Sequence, residues 1–285
     1  MRISGYILEK YNNMDGAYTC HRLIEEAKYL NIDVDIIGVC DCCMTEQGVI
    51  NKKHQLSSRD FIINRYKWGK VKDELNHYAS SSYNNLSLFN HYVNKYGQVK
   101  NIHSALFTKP KYYLSTSTFP YDFLVSQLKS PFIAKGLENS MGREILMIKN
   151  NEDYLSLRIK YPIEKEWLFE EYIETSHGRD LRLYSIRGEA IACIMRTSQN
   201  DFRANVALGA TVSSIHIDAC LQQIARDIYE QTKLDFVGID LLFGRDCYYF
   251  CEINVMPGLE GVEKATGINI AKEMMVMIKK DFNNG

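Results

Sequence analysis

The start of the chain alternates between short apolar runs and one amphipathic segment. Residues 3–8 and 34–39 have the length and composition of buried strands. Between them, residues 15–30 carry apolar side chains at helical spacing: Cys20, Leu23, Ile24, Ala27 and Leu30. This order predicts strand, helix, strand, which is an α/β beginning. Residues 57–97 are richer in Tyr, Asn, Ser and Lys, and their weak periodicity predicts only mixed helix and loop.

A loop with glycine at both ends separates two apolar runs in the middle of the chain. Residues 131–135 end in Lys135, the loop runs from Gly136 to Gly142, and residues 145–148 are apolar again. The pattern predicts strand, loop, strand. Glycine lets backbone N–H groups approach an anion closely, so such a loop can close over phosphates. A plain hairpin connection is the commoner alternative.

The pattern further along the chain predicts one hairpin and two helices. Residues 180–186 and 190–196 have strand patterns and are joined at Arg187 and Gly188, a pair suited to a tight turn. A helix with Asp218 as its N-cap is predicted from the spacing of Ile217, Leu221, Ile224, Ala225 and Ile228. A final core-facing helix is predicted from Ile270, Met274, Met277 and Ile278.

Residues 237–254 have the pattern of an acidic hairpin. The even positions include Asp240, Glu252 and Asn254. The odd positions are apolar or aromatic: Val237, Ile239, Leu241, Phe243, Tyr249, Cys251 and Ile253. If two strands pair around residues 244–246, a loop with an odd number of residues puts the apolar set on one face and the polar trio on the other.

The polar trio of this hairpin predicts a metal site. Two carboxylates and an amide oxygen on one face repel each other without a cation, and hard oxygen ligands favour Mg²⁺, with Mn²⁺ as an alternative. A magnesium ion held by few protein oxygens completes its shell with water and phosphate oxygens, so the trio also predicts a nucleotide substrate. A solvated polar face is the alternative.

Charge and composition narrow the class of protein. The 285 residues carry 34 Lys and Arg against 35 Asp and Glu, a net charge of −1, which disfavours a general nucleic-acid binder. No run approaches the roughly 18 apolar residues of a membrane span, and the first residues lack the apolar block of a signal peptide, so we expect a cytoplasmic protein without a membrane partner. The cluster Cys40, Cys42 and Cys43 lacks the second ligand pair of a zinc site, so free thiols are favoured over zinc.

Several motifs follow one another in a defined order. They are Lys135 with its glycine loop, Glu171-Tyr172-Ile173, Gly-Arg-Asp-Leu-Arg at 178–182, Arg196, Asp-Phe-Arg-Ala-Asn at 201–205, Gly238-Ile239-Asp240 and Cys251-Glu252-Ile253-Asn254. This set resembles the ATP-grasp ligases over about residues 100–285, and most of all the RimK-like branch, which includes the ribosomal-protein glutamate ligase and LysX-type amino-acid ligases. The resemblance implies an α/β ATP-grasp fold with α+β subdomains: a pre-ATP-grasp domain at 1–100, a small lid subdomain at 101–173 and a C-terminal subdomain with the metal site at 174–285.

The resemblance also implies which residues hold ATP. Lys135 would meet the phosphates together with Lys111, for which Lys109 is the alternative, under the loop that ends at Gly142. The residues that would hold adenine and ribose are Glu170, Glu171, Tyr172, Ile173 and Asp180.

The reacting centre is implied in the same way. Arg196 and Arg203 would be catalytic because they neutralise the γ-phosphate and the transferring group, and Arg203 and Asn205 would also contact the nucleotide. The metal ligands would be Asp240, Glu252 and Asn254, for two magnesium ions. After Phe-Arg-x-Asn the branch commonly has an arginine where this sequence has Leu208, which predicts an altered acceptor or carboxylate pocket.

The implied function is an ATP-dependent carboxylate–amine ligase. A substrate carboxylate would attack the γ-phosphorus of ATP to give an acyl phosphate and ADP, and an amine would then displace phosphate to form an amide. The expected partners are therefore a carboxylate and an amine, with an amino acid such as glutamate joined to a small molecule, a peptide or a protein terminus. The sequence leaves open whether the chain forms a homo-oligomer. The alternatives are a catalytically silent ATP-binding scaffold and a kinase that releases a stable phosphorylated product.

Overall fold

The N-terminal part of the chain forms a four-stranded parallel sheet with helices. It is described by a computed structural model that covers residues 2–14, 17–138 and 144–283, with the backbone alone at residue 207. Its elements are β1 (Ser4–Glu9), α1 (Tyr18–Tyr29), β2 (Asp33–Gly38), β3 (Cys42–Thr45), β4 (Gly48–Asn51), β5 (Arg59–Asn64), α2 (Lys70–Leu75), β6 (Ala79–Tyr83), α3 (Leu86–Tyr92) and α4 (Lys95–Asn101). The sheet has the order β2-β1-β5-β6, while β3 and β4 form a separate ribbon. The predicted strand, helix, strand start is confirmed.

Two strands of this sheet lie where only helix and loop were predicted. β5 and β6 pair in parallel with each other, and β5 also pairs with β1. In β5, Phe61 and Ile62 are consecutive and both fully buried. Strands of a parallel sheet are covered on both faces, so they show a continuous apolar run rather than alternation. The prediction of mixed helix and loop for residues 57–97 is therefore wrong at these strands.

The middle of the chain forms a four-stranded antiparallel sheet covered by two helices. Its elements are β8 (Tyr112–Thr116), α5 (Tyr121–Leu128), β9 (Phe132–Gly136), β10 (Ile145–Ile148), α6 (Asn151–Lys160) and β11 (Glu166–Glu171), which follow the short strand β7 (Phe107–Thr108). The strand order is β10-β9-β11-β8. Its core contains large aromatic side chains, among them Trp167 and Phe169. The predicted strand, loop, strand is confirmed for β9 and β10, whereas Gly142 lies outside the described residues.

The C-terminal part forms a six-stranded sheet. Its elements are β12 (Arg179–Ile186), β13 (Glu189–Thr197), β14 (Thr211–Ser214), α7 (Ala219–Thr232), β15 (Phe236–Phe243), β16 (Tyr248–Asn254), α8 (Glu260–Thr266) and α9 (Ile270–Asn283). The strand order is β14-β13-β12-β15-β16-β7. The predicted hairpin is confirmed, and Arg187 and Gly188 have φ of 46° and 82°, as a two-residue turn of this kind requires. Asp218 caps α7 as predicted, accepting a hydrogen bond from the Leu221 amide at 2.8 Å.

In the acidic hairpin, the predicted distribution of side chains between the two faces holds only on one side of a β-bulge. The register places Asp240 opposite Glu252 and Gly238 opposite Asn254, so the polar trio shares a face as predicted. An extra residue on β16 then shifts the pairing, and Leu241 lies opposite Phe250 rather than Cys251. Phe250 is fully buried in the core. The prediction that Tyr249 and Cys251 belong to the apolar face is wrong, because a single bulged residue exchanges the two faces of the strand.

The N-terminal sheet is fixed to the six-stranded sheet by apolar packing and by buried polar groups. Helices α1 and α9 contribute to one core that also contains residues of β12 and β13. The side chain of Asn84 donates to the Phe236 carbonyl at 2.8 Å and accepts from the Phe236 amide at 2.8 Å. Arg22 on α1 donates to Glu263 on α8 at 3.0 Å. This junction puts the end of β1 against the face of the six-stranded sheet.

Two further features concern domains and membranes. Strand β7 lies within the predicted lid range but belongs to the six-stranded sheet. The division of the chain at residues 100 and 173 stays a prediction.

Among the helices of the described residues, none has both the length and the apolar character that crossing a bilayer requires.

Candidate active site

A row of charged side chains crosses four neighbouring strands of the six-stranded sheet. Arg182 on β12 donates Nε and Nη2 to the two carboxylate oxygens of Asp240 on β15, each at 2.6 Å. Arg196 on β13 makes the same bidentate contact with Asp180, again at 2.6 Å, and its Nη2 lies 2.9 Å from Asp240 Oδ2. Asp240 is only 3% exposed. Burial by itself would raise the pKa of Asp240, but the guanidinium groups of Arg182 and Arg196 hold it below its ordinary value.

Two lysines extend this row toward the antiparallel sheet. Lys135 on β9 donates to Glu170 on β11 at 2.6 Å, and its Nζ lies 3.8 Å from the Cys251 sulfur. Lys95, at the start of α4, lies 3.3 Å from Glu252. Burial would lower the pKa of Lys135, but the Glu170 carboxylate, which accepts a hydrogen bond from the ammonium, holds that pKa above its ordinary value, and burial raises the pKa of Cys251 to about 12. The ammonium therefore stays charged while the thiol stays neutral.

The charges of this group, which we call the central cluster, balance one another. The cluster consists of Arg182, Arg196, Lys95, Lys135, Asp180, Asp240, Glu252 and Glu170. Four cations thus face four carboxylates. A neutral cluster can accept a polyphosphate and divalent cations together with little change in net charge, because each incoming charge is met by an opposite one.

The residues of the acidic hairpin fit a magnesium site. Asp240 and Glu252 are direct cross-strand neighbours, which brings their carboxylates close together. The Glu252 side chain is 24% exposed, so at least one carboxylate is open to a ligand. Asp240 Oδ2 already accepts from both arginines, but Oδ1 accepts only from Arg182 Nε and keeps one lone pair with which it can coordinate a cation. Asn254 Oδ1 accepts the Met256 amide at 2.9 Å, which fixes the orientation of the side chain.

The structure does not bring every predicted phosphate lysine to the central cluster. Lys111 is exposed and donates to Gln127 at 2.9 Å. Lys109 donates to the Val99 carbonyl at 2.6 Å. Lys95 instead pairs with Glu252, a contact that the sequence motifs do not predict. Its signal in the sequence is an Asn-Lys pair at the start of a helix, where Asn94 caps α4 by accepting from the Gly97 amide at 3.2 Å.

Two residues predicted to hold adenine and ribose have other partners. Glu170 is bound by Lys135, and Asp180 is bound by Arg196. Both carboxylates are buried and both fix a cation, which is a positioning role. Arg182 belongs to the Gly-Arg-Asp-Leu-Arg motif, which assigns it no role, and it is the bidentate partner of Asp240.

The end of β11 provides a separate polar segment next to the central cluster. The Glu171 amide donates to the Lys111 carbonyl at 2.9 Å, and Glu171 continues the strand that carries Glu170. Tyr172 forms a hydrogen bond with His177 and lies with its ring 6.5 Å from that of Phe202. Ile173 is buried. These groups border the junction between the antiparallel sheet and the six-stranded sheet.

Arg203 and Asn205 lie on the segment between β13 and β14. Arg203 donates Nε and Nη2 to Asp201 at 3.0 and 2.7 Å, and Nη1 to the Ile145 carbonyl at 3.4 Å. These contacts tie the segment to β10 of the antiparallel sheet. Asn205 lines a pocket together with Arg182 and Arg196. Arg196 is thus part of the central cluster, whereas Arg203 is held by Asp201 at the junction with β10.

The sequence and the fold can now be compared with those of known proteins. A sequence model of the RimK-like ATP-grasp domain matches residues 95–278. A probable alpha-L-glutamate ligase of Histophilus somni (strain 2336) is 30% identical over 175 residues, which cover 61% of this chain and 58% of that protein. A probable alpha-L-glutamate ligase of Pasteurella multocida (strain Pm70) is 25% identical over 93% of this chain and 91% of its own length. The match to the Histophilus protein thus spans less than two thirds of its length.

Solved structures show the same fold. The ATP-grasp ligase PsnB complexed with a minimal precursor has a TM-score of 0.72 at 14% identity, over 98% of this chain and 99% of the other. PsnB with minimal precursor, Mg and ADP has a TM-score of 0.69 at 13% identity, over 97% and 96% of the two chains. The predicted ATP-grasp fold is confirmed. Because the sequence model of the family matches residues 95–278, which is more than half of the chain, the chain belongs to the RimK-like ATP-grasp family.

Proposed function

We propose that the chain is an ATP- and magnesium-dependent ligase that joins a carboxylate to an amine through an acyl phosphate, with release of ADP. The observation that carries this proposal is the central cluster, in which Asp240 and Glu252 lie within one network with four buried or half-buried cations. The amine substrate is an amino acid such as glutamate, in line with the names of the relatives. The carboxylate belongs to a small molecule, a peptide or a protein terminus.

Lysines and arginines of the cluster bind the phosphates in this proposal. Lys95 and Lys135 meet the α- and β-phosphates, and Lys95 takes the place first given to Lys111 because it is buried beside Glu252. Each ammonium has three N–H donors, so when the polyphosphate enters both lysines can donate to phosphate oxygens while keeping Glu170 and Glu252 as partners, and no buried charge is left uncompensated. Glu171, Tyr172 and Ile173 hold adenine, and Arg203 with Asn205 contacts the phosphate end.

The acidic hairpin holds magnesium in this proposal. Asp240, Glu252 and Asn254 are the ligands, with two ions expected and Mn²⁺ as an alternative. Bound magnesium neutralises phosphate charge and orients the phosphate oxygens. Asp240 also fixes Arg182 and Arg196, which keeps both guanidinium groups on the sheet face where a substrate carboxylate approaches.

Arg182 and Arg196 orient the substrate carboxylate and stabilise charge on the transferring phosphoryl group. The carboxylate oxygen attacks the γ-phosphorus, the bond to the β-γ bridging oxygen breaks, and ADP leaves. The amine, in its neutral form, then attacks the acyl carbon, the C–O bond to phosphate breaks, and an amide and inorganic phosphate are formed with release of the amine proton. Exclusion of water is essential, because water would hydrolyse the acyl phosphate.

The test is an assay that follows both products. ADP release is measured with and without Mg²⁺ over a panel of amino acids and carboxylates, and the organic product is identified by mass spectrometry. We expect one ADP for each amide formed. Tight ATP binding without ADP release over the whole panel would favour the scaffold alternative, and a stable phosphorylated product without an amide would favour the kinase alternative.

A further inference from the structure

A pocket of 370 Å³ lies between the N-terminal sheet and the six-stranded sheet. One wall contains Arg182, Arg196 and Asn205, so the pocket opens onto the central cluster. The lining also contains Glu9, the last residue of β1, and Arg65, which directly follows β5, so the N-terminal part of the chain contributes to the same pocket. This volume is at the small end of the range for ligand sites, roughly 300–1,000 Å³, and suits one small molecule rather than a protein surface.

Glu9 and Arg65 form an ion pair in the wall of this pocket. Glu9 is the last residue of β1, and Arg65 directly follows β5, the neighbouring strand. Arg65 donates Nε to Glu9 Oε1 at 2.8 Å, and the Cys20 thiol donates to the same oxygen at 3.3 Å. The pair is mostly buried, since the side chains of Arg65 and Glu9 are 15% and 9% exposed.

A buried ion pair contributes little net stability, because removing two charges from water offsets most of their attraction. Apolar side chains at these positions would serve packing equally well. The pair is therefore better explained by what it offers to the pocket: a carboxylate and a guanidinium side by side. These groups complement a ligand that carries an ammonium and a carboxylate on neighbouring atoms.

We propose that Glu9 and Arg65 recognise the charged ends of a free α-amino acid, which is the amine substrate of the proposed ligase. Arg65 binds the α-carboxylate, and Glu9 binds the α-ammonium group. The amine nitrogen is then held in the pocket whose lining also contains Arg182 and Arg196, next to the proposed phosphorylated carboxylate. The inference rests on the proposed function for the role of the amino acid as substrate, but the binding site itself can be tested without turnover.

The test measures binding by calorimetry in the presence of Mg²⁺ and ADP. A panel of L-amino acids identifies the tightest ligand, which is then compared with its N-acetyl derivative and its α-amide. We expect each blocked derivative to bind the unmodified protein about tenfold or more weakly, as the loss of one charged hydrogen-bond partner predicts. In Glu9→Gln, the N-acetyl derivative should bind as tightly as the free amino acid. In Arg65→Met, the α-amide should bind as tightly as the free amino acid. We call these losses of affinity in the unmodified protein the two penalties.

Arg59→Met is the matched control, because Arg59 is on the same sheet, is similarly buried and pairs with Asp35 at 2.8 Å away from the pocket. It should keep both penalties. If the single variants do not fold, the double variant Glu9→Arg with Arg65→Glu replaces them in the test, because it keeps an ion pair at this position. It should lose amino-acid binding while ADP binding stays unchanged.

The possible results separate the two proposals. Equal penalties in the unmodified protein and in the variants, or no binding of any amino acid in the panel, would overturn the inference. Amino-acid binding that follows the expected pattern without amide formation would support the inference and overturn the proposed function. Amide formation with unaltered amino-acid KM in Glu9→Gln and Arg65→Met would leave the proposed function intact and refute the recognition site.

Discussion

The two carboxylates of the acidic hairpin should respond very differently to removal of their charge. Asp240 accepts three hydrogen bonds from Arg182 and Arg196, and its side chain is 4% exposed. Glu252 has a longer contact of 3.3 Å with Lys95 and is 24% exposed. Both are proposed magnesium ligands, so Asp240→Asn and Glu252→Gln should both abolish amide formation.

The difference lies in the free energy of unfolding. In Asp240→Asn, an amide NH₂ group faces a guanidinium donor, and Arg182 loses its charged partner. Breaking a buried pair in this way costs about 3–5 kcal/mol. Glu252→Gln keeps an oxygen acceptor for Lys95 at a partly exposed position, where an ion pair contributes about 1 kcal/mol or less. At about 2–4 °C per kcal/mol for a chain near this size, Asp240→Asn should lower Tm by about 10 °C and Glu252→Gln by only a few degrees.

Calorimetric melting curves of the purified variants, together with the ADP and amide assay, test this contrast. The double variant Arg182→Met with Asp240→Asn should recover part of the lost Tm, because it removes the guanidinium group that the single change leaves unpaired. Equal Tm values for Asp240→Asn and the unmodified protein would refute the assignment of a buried ion-pair network. Normal turnover in either single variant would refute the metal assignment.

Three other predictions concern the lysines and pH. Lys95→Met should raise the KM for ATP about tenfold, as expected for the loss of one charged phosphate contact. The exposed control Lys111→Met should leave this KM unchanged. Steady-state kinetics of the two variants show which lysine contacts ATP. Burial would raise the pKa of Glu252, but Lys95 holds it below its ordinary value of 4.5. The ionised Glu252 carboxylate therefore contributes to the free energy of unfolding above pH 4.5, and this contribution is lost as the pH falls further. Urea unfolding at pH 7 and pH 3.5 should therefore show a smaller difference between Glu252→Gln and the unmodified protein at the lower pH. Partial burial, followed by the nearby Lys95, lowers the pKa of Lys67 to about 8, so the free energy of unfolding should rise between about pH 8 and pH 10.5. That rise should be smaller in Lys67→Met, and an identical slope would contradict the lowered pKa of Lys67.

Much of the active-site chemistry could be predicted from local patterns. Period-two alternation placed Asp240, Glu252 and Asn254 on one face, because alternate side chains of a strand point in opposite directions. The spacing of apolar residues also predicted α7 with its cap at Asp218. The order of motifs identified the family, which the match over residues 95–278 confirms.

Other parts of the site could not be predicted because their partners are distant in sequence. Arg182 and Asp240 are 58 positions apart, and Lys135 and Cys251 are 116 apart. Lys95 is the first residue of a helix with no apolar pattern that would single it out, and only the packing of α4 against β16 brings it to Glu252. A bulge of one residue, which no alternation reveals, moved Cys251 out of the predicted apolar set.

The sequence by itself determined the family and the strand face that Asp240, Glu252 and Asn254 share, because these properties depend on side-chain type and on the local repeat of the backbone. The tertiary structure decided which charges pair. Strand order set β12, which carries Asp180 and Arg182, between Arg196 on β13 and Asp240 on β15, and the docking of the N-terminal sheet placed Glu9 and Arg65 in the lining of a pocket that also contains Arg182 and Arg196. An ion pair depends on a few ångströms between side chains, and only the folded chain fixes distances of that order between remote segments.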